Sequence, residues 1–247
     1  MTWNTIMGLL SSVALFTPIA VILWCRLAAY KTFPALLVYY IIILIYNVLT
    51  EGYVHLDEQI VYYFGLCNNL LDAPLMMTFL LYFSPSLKFS RRLKFLIIAF
   101  LVFELIILTV FGFNLNAITI ILGPGLILTT GLCVMVFIRQ TKIAIINLKA
   151  LGRSMIAAAL CFVYGCYALI YVLFYLNNSP NVEDTFLIYY WASLISASLL
   201  STGLIFEYRR IVKLYELKKT RKELSSIYLD DKTPKGFRKV QLDFEVE

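Results

Sequence analysis

Apolar residues in this chain neither alternate nor fall into one-sided stripes. They gather into seven long runs, at about 7–25, 33–51, 59–83, 93–113, 117–138, 154–176 and 185–206, separated by short polar linkers. Each run is close to the roughly 20 residues that a helix needs to cross the hydrocarbon core of a bilayer. Lipid offers no partner to an open backbone N–H or C=O, so runs of this kind predict helices. The predicted fold is an all-α membrane protein: a seven-helix transmembrane bundle over 1–207. A basic juxtamembrane helix is expected at 208–229 and a flexible tail at 230–247. The lipid bilayer is the first expected partner.

Composition agrees with that pattern. The chain is 61% hydrophobic and only 15% charged, against about 25% charged in soluble domains. Charge placement then sets an expected orientation. All 21 Lys and Arg lie in the linkers at 26–32, 84–94 and 139–153 or after 208. The positive-inside rule assigns those segments to the cytoplasm, with the N-terminus outside and the C-terminus inside, in the plasma membrane. The net charge of +6 is therefore an orientation signal, and no nucleic acid is expected as a partner. The first run has no basic region before it and Arg26 after it, so it is expected to stay in place rather than be cleaved. Cys25, Cys67, Cys133, Cys161 and Cys166 lie in or at the ends of the runs without a CxxC pair. They are expected as free, packing thiols.

Two stretches resemble each other, "LIYNVLTEGYVHLDEQIVYYFGL" from Leu44 and "LIYVLFYLNNSPNVEDTFLIYYWASL" from Leu169. Pairing the second and third helices with the sixth and seventh suggests a 3+1+3 parallel repeat; chance in a Leu-, Ile- and Tyr-rich chain is the alternative. Seven helices in such a layout resemble, in topology alone, the broad transporter, opsin and receptor architecture. The seventh run has no lysine for a retinal Schiff base, and "STGLIFEYRR" is not Asn-Pro-x-x-Tyr, so no family is assigned. Ser193, Ala197 and Ser201 form a small-residue seam on the seventh helix, and Ala157–Ala159 with Gly165 are expected to serve the sixth. "GPG" at Gly123–Gly125 is expected to bend or break the fifth helix, as a packing kink or as something more.

Polar residues inside apolar runs are the candidate chemistry. In "CNNLLDAPLMM", Asn68, Asn69 and Asp72 share one helical face, and Pro74 frees the carbonyl of Leu70. A carboxylate at that depth is costly and must face the bundle. Glu104 is a second acid, near the middle of the fourth helix. The two acids either share a proton or cation or act separately, each bonded to neighbouring helices. Asn47 and Glu51 lie four apart at the end of the second helix, before His55, Asp57 and Glu58, where an acidic mouth could collect cations. Tyrosines crowd the same end. An interfacial belt accounts for most of them, with Tyr46 and Tyr62 as candidates for cation–π contact in a pocket. These residues suggest a site for a proton, a metal cation or a small amine, with no cofactor and no metal cluster of recognisable spacing.

After 208, Leu214, Leu217, Leu224 and Tyr228 fit heptad positions interrupted by Arg221. A basic helix on anionic lipid fits as well. "VQLDFEVE" alternates with a strand period and could add to the sheet edge of a cytoplasmic partner bound through 208–247; disorder is the alternative. Three functions follow as expectations. The first is translocation of a small cation through the midplane site. The second is a seven-helix sensor that signals through its cytoplasmic tail. The third, weakest for want of a nucleophile set or phosphate-cradling loop, is an intramembrane enzyme acting on lipid.

Overall fold

The computed structural model describes residues 3–54, 56–84, 86–146, 150–173 and 182–230, and within these the side chains of 6–225 apart from 182–186. His55, Tyr175 and the alternating segment at 240–247 lie outside the described residues. Seven helices follow in order: α1 (Trp3–Trp24), α2 (Phe33–Thr50), α3 (Glu58–Leu80), α4 (Leu87–Phe111), α5 (Leu115–Ile146), α6 (Leu151–Tyr171) and α7 (Val182–Asp230). All seven are long and apolar enough to cross a membrane, so the chain is a multi-pass integral membrane protein. All five cysteines are free.

Local chemistry sets the helix ends. The Asp57 carboxylate accepts from the Gln59 amide at the start of α3, and the Ser86 hydroxyl accepts from the Phe89 amide at the start of α4. Each satisfies a backbone donor that the first helical turn leaves open. Pro34 stands in the first turn of α2, where its missing N–H costs nothing. Gly112, at φ 76°, closes α4 in a left-handed conformation that a residue with a Cβ resists.

Six helices close into a ring. Contacts run from α1 to α2, α2 to α3, α3 to α5, α5 to α6, α6 to α7 and α7 back to α1. The fourth helix sits outside it, against α3 and α5, and most of its surface faces outward. The end of the bundle that carries Arg26, Lys31, Arg91, Arg153 and Arg210 is called here the basic end. The end that carries Glu51, Asp57 and Glu58 is the acidic end.

The packing refines two expectations for glycine. The fifth helix, expected to bend or break at "GPG", does not break; it runs from Leu115 to Ile146 with Pro124 inside. The flanking glycines instead admit neighbours. A Cβ on Gly123 would meet the Tyr171 hydroxyl at 2.8 Å, and one on Gly125 would meet the Phe100 ring at 3.1 Å. Gly165 was expected in a packing seam but faces open space. The close approach of α6 to α7 falls elsewhere. A Cβ on Gly152 would lie 2.6 Å from the Glu207 backbone nitrogen, and one on Gly203 would lie 2.9 Å from the Ile156 nitrogen. Backbone, unlike a side-chain tip, cannot swing aside. The seam at Ser193, Ala197 and Ser201 is buried, and the Ser201 hydroxyl meets Thr17 of α1 at 3.0 Å. The seventh helix is 49 residues long, about 73 Å at 1.5 Å per residue. That is more than twice the hydrocarbon thickness, so it projects past the basic end.

Gly152→Ala is expected to lower the melting temperature in detergent, at a cost of about 1–3 kcal/mol from overpacking. Gly165→Ala, with nothing to collide with, is expected to be neutral or slightly stabilising. Equal effects from the two would contradict this packing.

Candidate functional site

Asp72 lies midway along α3 on the face turned into the ring. Its carboxylate accepts a hydrogen bond from the Tyr164 hydroxyl of α6 at 3.0 Å, and Tyr39 of α2 presents its hydroxyl to the same pair. Cys133 of α5 lies close by. Four helices therefore surround one acid. Among the described residues no lysine or arginine forms an ion pair with it, and Glu104 is not among its partners. Asp72 keeps some accessible surface, while Tyr39 and Tyr164 are fully enclosed.

From Asp72, tyrosines continue toward the acidic end. Tyr164 and Tyr167 lie one turn apart on α6, with ring centroids 5.9 Å apart. Tyr167 stacks on Tyr189 of α7 at 6.0 Å, and Tyr189 meets Tyr190 at 6.0 Å. The Tyr190 hydroxyl donates to Glu51 at 2.6 Å. An aromatic ladder thus joins Asp72 to a second carboxylate, Glu51, at the acidic end. Beside it, Ser193 Oγ is buried near the Tyr167 and Tyr189 hydroxyls but closes a well-aligned bond with neither. Tyr40 flanks the same rings.

The other candidates take distinct places. Tyr46 packs over Gly65, near Tyr189, along the ladder. Asn47 donates to the hydroxyls of Ser11 at 3.2 Å and Ser12 at 2.8 Å, and so ties α2 to α1. Glu51 presses against α1 so closely that its carboxyl group fills the space a Cβ on Gly8 would need. Asn68 and Asn69 stand half-buried within a turn of Asp72. Tyr62 lies away from the ladder: it is exposed, and its hydroxyl accepts from the Leu115 amide at 3.2 Å, joining the starts of α3 and α5. Glu104 is buried on α4 with Oε1 unpartnered among the described residues. Phe100, one turn away, packs at the Ala73 and Gly125 side of α3 and α5. The two intramembrane acids thus belong to different surroundings.

A third buried acid closes the basic end. Glu207 is fully buried on α7. Arg210 holds both its oxygens, Nε on Oε2 at 2.9 Å and Nη2 on Oε1 at 2.5 Å. Arg153 of α6 reaches Oε1 at 3.3 Å, and the Tyr82 hydroxyl donates to it from α3's end of the bundle. The Arg153 guanidinium also lies 5.1 Å over the Tyr82 ring, and Lys31 lies 5.7 Å from that ring. One carboxylate, two guanidiniums and a phenol thus tie α6 and α7 to the segment after α3.

Sequence reasoning missed this cluster because the seventh run was ended at 206, one residue short of Glu207. A signal existed: Glu207 and Arg210 are three apart on a continuing helix. It also missed Tyr39, Tyr164 and Tyr167. Tyr39 and Tyr46 are seven apart on α2, and Tyr164 and Tyr167 are three apart on α6. Each pair marks a single face.

Replacing Glu207 with Ala leaves two half-buried guanidiniums without their counter-charge, a loss of about 3–5 kcal/mol. The melting temperature in detergent is expected to fall well below that of an Asp57→Ala control at an exposed cap. A fall no larger than the control's would remove the cluster's structural role. Neither a family model, nor a curated protein, nor a solved structure matches this chain.

Proposed function

We propose that the protein binds a small cation, an organic amine or the proton it carries, at Asp72 and passes it through the helix ring. The observation that carries this reading is the ladder from Glu51 to Asp72 through Tyr190, Tyr189, Tyr167 and Tyr164. Aromatic faces attract cations electrostatically, by up to about 2 kcal/mol when water is excluded. A carboxylate at each end gives the cation a place to be captured and a place to rest. A hard metal ion takes six or more oxygen ligands, several of them usually carboxylates, whereas among the described residues Asp72 belongs to no cluster of three or more His, Cys, Asp or Glu side chains. That favours the amine or proton over the metal.

In this reading the basic end faces the cytoplasm, because the described linkers at that end carry the lysines and arginines. The acidic mouth then opens outward and draws cations in. The cluster at Glu207 holds the cytoplasmic end shut in the state described. Its partners come from α6, α7 and the segment after α3, so opening toward the cytoplasm requires parting them. The proposed 3+1+3 arrangement takes α1–α3 and α5–α7 as its halves, with α4 outside the ring that they form. In that arrangement Asp72 and Tyr164 come from opposite halves, with the proposed site between them, as in repeat-built carriers.

A second reading is a sensor, favoured by the continuity of α7. One helix carries Tyr189 and Tyr190 at the ladder, Glu207 at the cluster and the projecting segment to Asp230. A shift at the ladder would reach a cytoplasmic partner along that rod. Deleting 230–247 separates the readings: a carrier keeps its flux, and a sensor keeps ligand binding but loses its signal.

The test uses the purified chain in sealed vesicles, with radiolabelled methylammonium and a trapped pH dye. Wild type is expected to accumulate the amine or move protons. Asp72→Asn, a near-isosteric change, is expected to abolish both while its melting profile stays close to wild type. Tyr164→Phe, which removes one hydrogen bond to the carboxylate, is expected to lower uptake roughly tenfold. Unchanged uptake by a folded Asp72→Asn protein would refute translocation through this site.

A further inference from the structure

The first two turns of α4, outside the ring and away from the ladder, border a shallow, open cleft at the helix surface with Lys88, Arg91, Arg92 and Phe95. Their spacing of three, four and seven places them on one helical face. All four are exposed. The three cations form no ion pair among the described residues, and no acid stands in the first turn of α4. Basic residues nearer the ring differ in this. Arg153 and Arg210 are held by Glu207, and Lys31 lies over two tyrosine rings. Here three positive charges stand together at an open surface with no ion-pair partner among the described residues.

The same face continues into lipid. Phe95 is 73% exposed, Ile98 60%, Val102 49% and Leu105 63%. An unbroken apolar strip thus starts where the cationic turn ends. A ligand that satisfies both parts is amphiphilic, with an anionic group at the membrane surface and a chain along α4. Arginine forks match phosphate oxygens in pairs, and basic pockets at membrane-helix ends take phospholipid headgroups.

We infer that Lys88, Arg91 and Arg92, with the strip beginning at Phe95, form a site for the phosphate headgroup of an anionic phospholipid. The phosphate sits among the three cations at the basic end, and an acyl chain lies along Phe95, Ile98 and Val102. Because α4 stands outside the ring, this site is independent of what Asp72 binds.

The experiment uses the full chain, delipidated in detergent and presented with phosphatidic acid or phosphatidylcholine, with retained lipid read by native mass spectrometry. Wild type is expected to retain phosphatidic acid in preference to phosphatidylcholine. The triple variant K88A/R91A/R92A, changed only at exposed positions, is expected to retain it about tenfold less. The double variant R139A/K142A removes two other cations from the same end and is expected to behave as wild type. Equal retention by the triple variant and wild type overturns the site. So does equal loss in both variants, which would mean diffuse attraction. Inorganic phosphate at millimolar concentration tests the source: failure to displace the lipid supports the two-part site, and full displacement assigns the cleft to a free anion and overturns the lipid.

Discussion

A carboxylate in hydrocarbon must be given partners, be neutralised or be reached by water. This bundle places several carboxylates in or near its spans, and the differences among their surroundings organise everything else. Glu207 receives two guanidiniums and a phenol, so it is fully compensated and acts as a fastener. Asp72 receives hydroxyls but no cation among the described residues. Glu51 receives one tyrosine at the acidic end. Glu104 has an oxygen with no partner among the described residues. A compensated acid is a structural part. An acid with donors but no counter-charge can still be completed, either by a proton of its own or by an incoming cation. The proposed function rests on that asymmetry between Glu207 and Asp72: in that reading one end of the ring is a closure and its middle a site.

The same constraint explains the distribution of tyrosine. A phenol can stand in an apolar interior because its ring is buried as a hydrocarbon while its hydroxyl finds a carboxylate or another hydroxyl. Tyr39 and Tyr164 supply that around Asp72, Tyr190 around Glu51 and Tyr82 around Glu207. Tyrosine thus serves as donor to three of these four acids and as the run of rings between two of them. An interior of leucine would have left the acids bare. An interior of asparagine would have cost more desolvation per residue and offered no π-face.

The architecture was legible in the sequence because it depends on a long-range average. Seven apolar runs survive a few misassigned residues, and the described helices fall on them. The packing was not legible, because a small residue in a span looks the same whether it admits a backbone or faces lipid. Gly152 and Gly165 differ only in what lies opposite. The site was legible in part. Asp72 and Glu51 stand out as charges in or beside oily runs. Tyr164 and Tyr167 do not, since tyrosine in a span is ordinary and only the facing helix gives it a role. Glu207 was hidden differently: it lies where hydropathy fades into the basic segment, and there an acid reads as solvated.

The position of α4 bears on how such a ring could move. A helix held at the edge against α3 and α5 is not needed to close the ring, yet its buried face carries Glu104, one turn from the Phe100 ring that reaches Gly125 of α5. Its outer face carries the unpaired cations and the lipid-facing strip. On one side of this helix Glu104 has an oxygen without a partner among the described residues, and on the other stand cations without an ion pair among them. In the proposed function, a rearrangement that separates the two halves of the ring would shift α3 relative to α5, and α4 packs on both. It would follow that shift, or resist it, without lying on the ladder from Glu51 to Asp72.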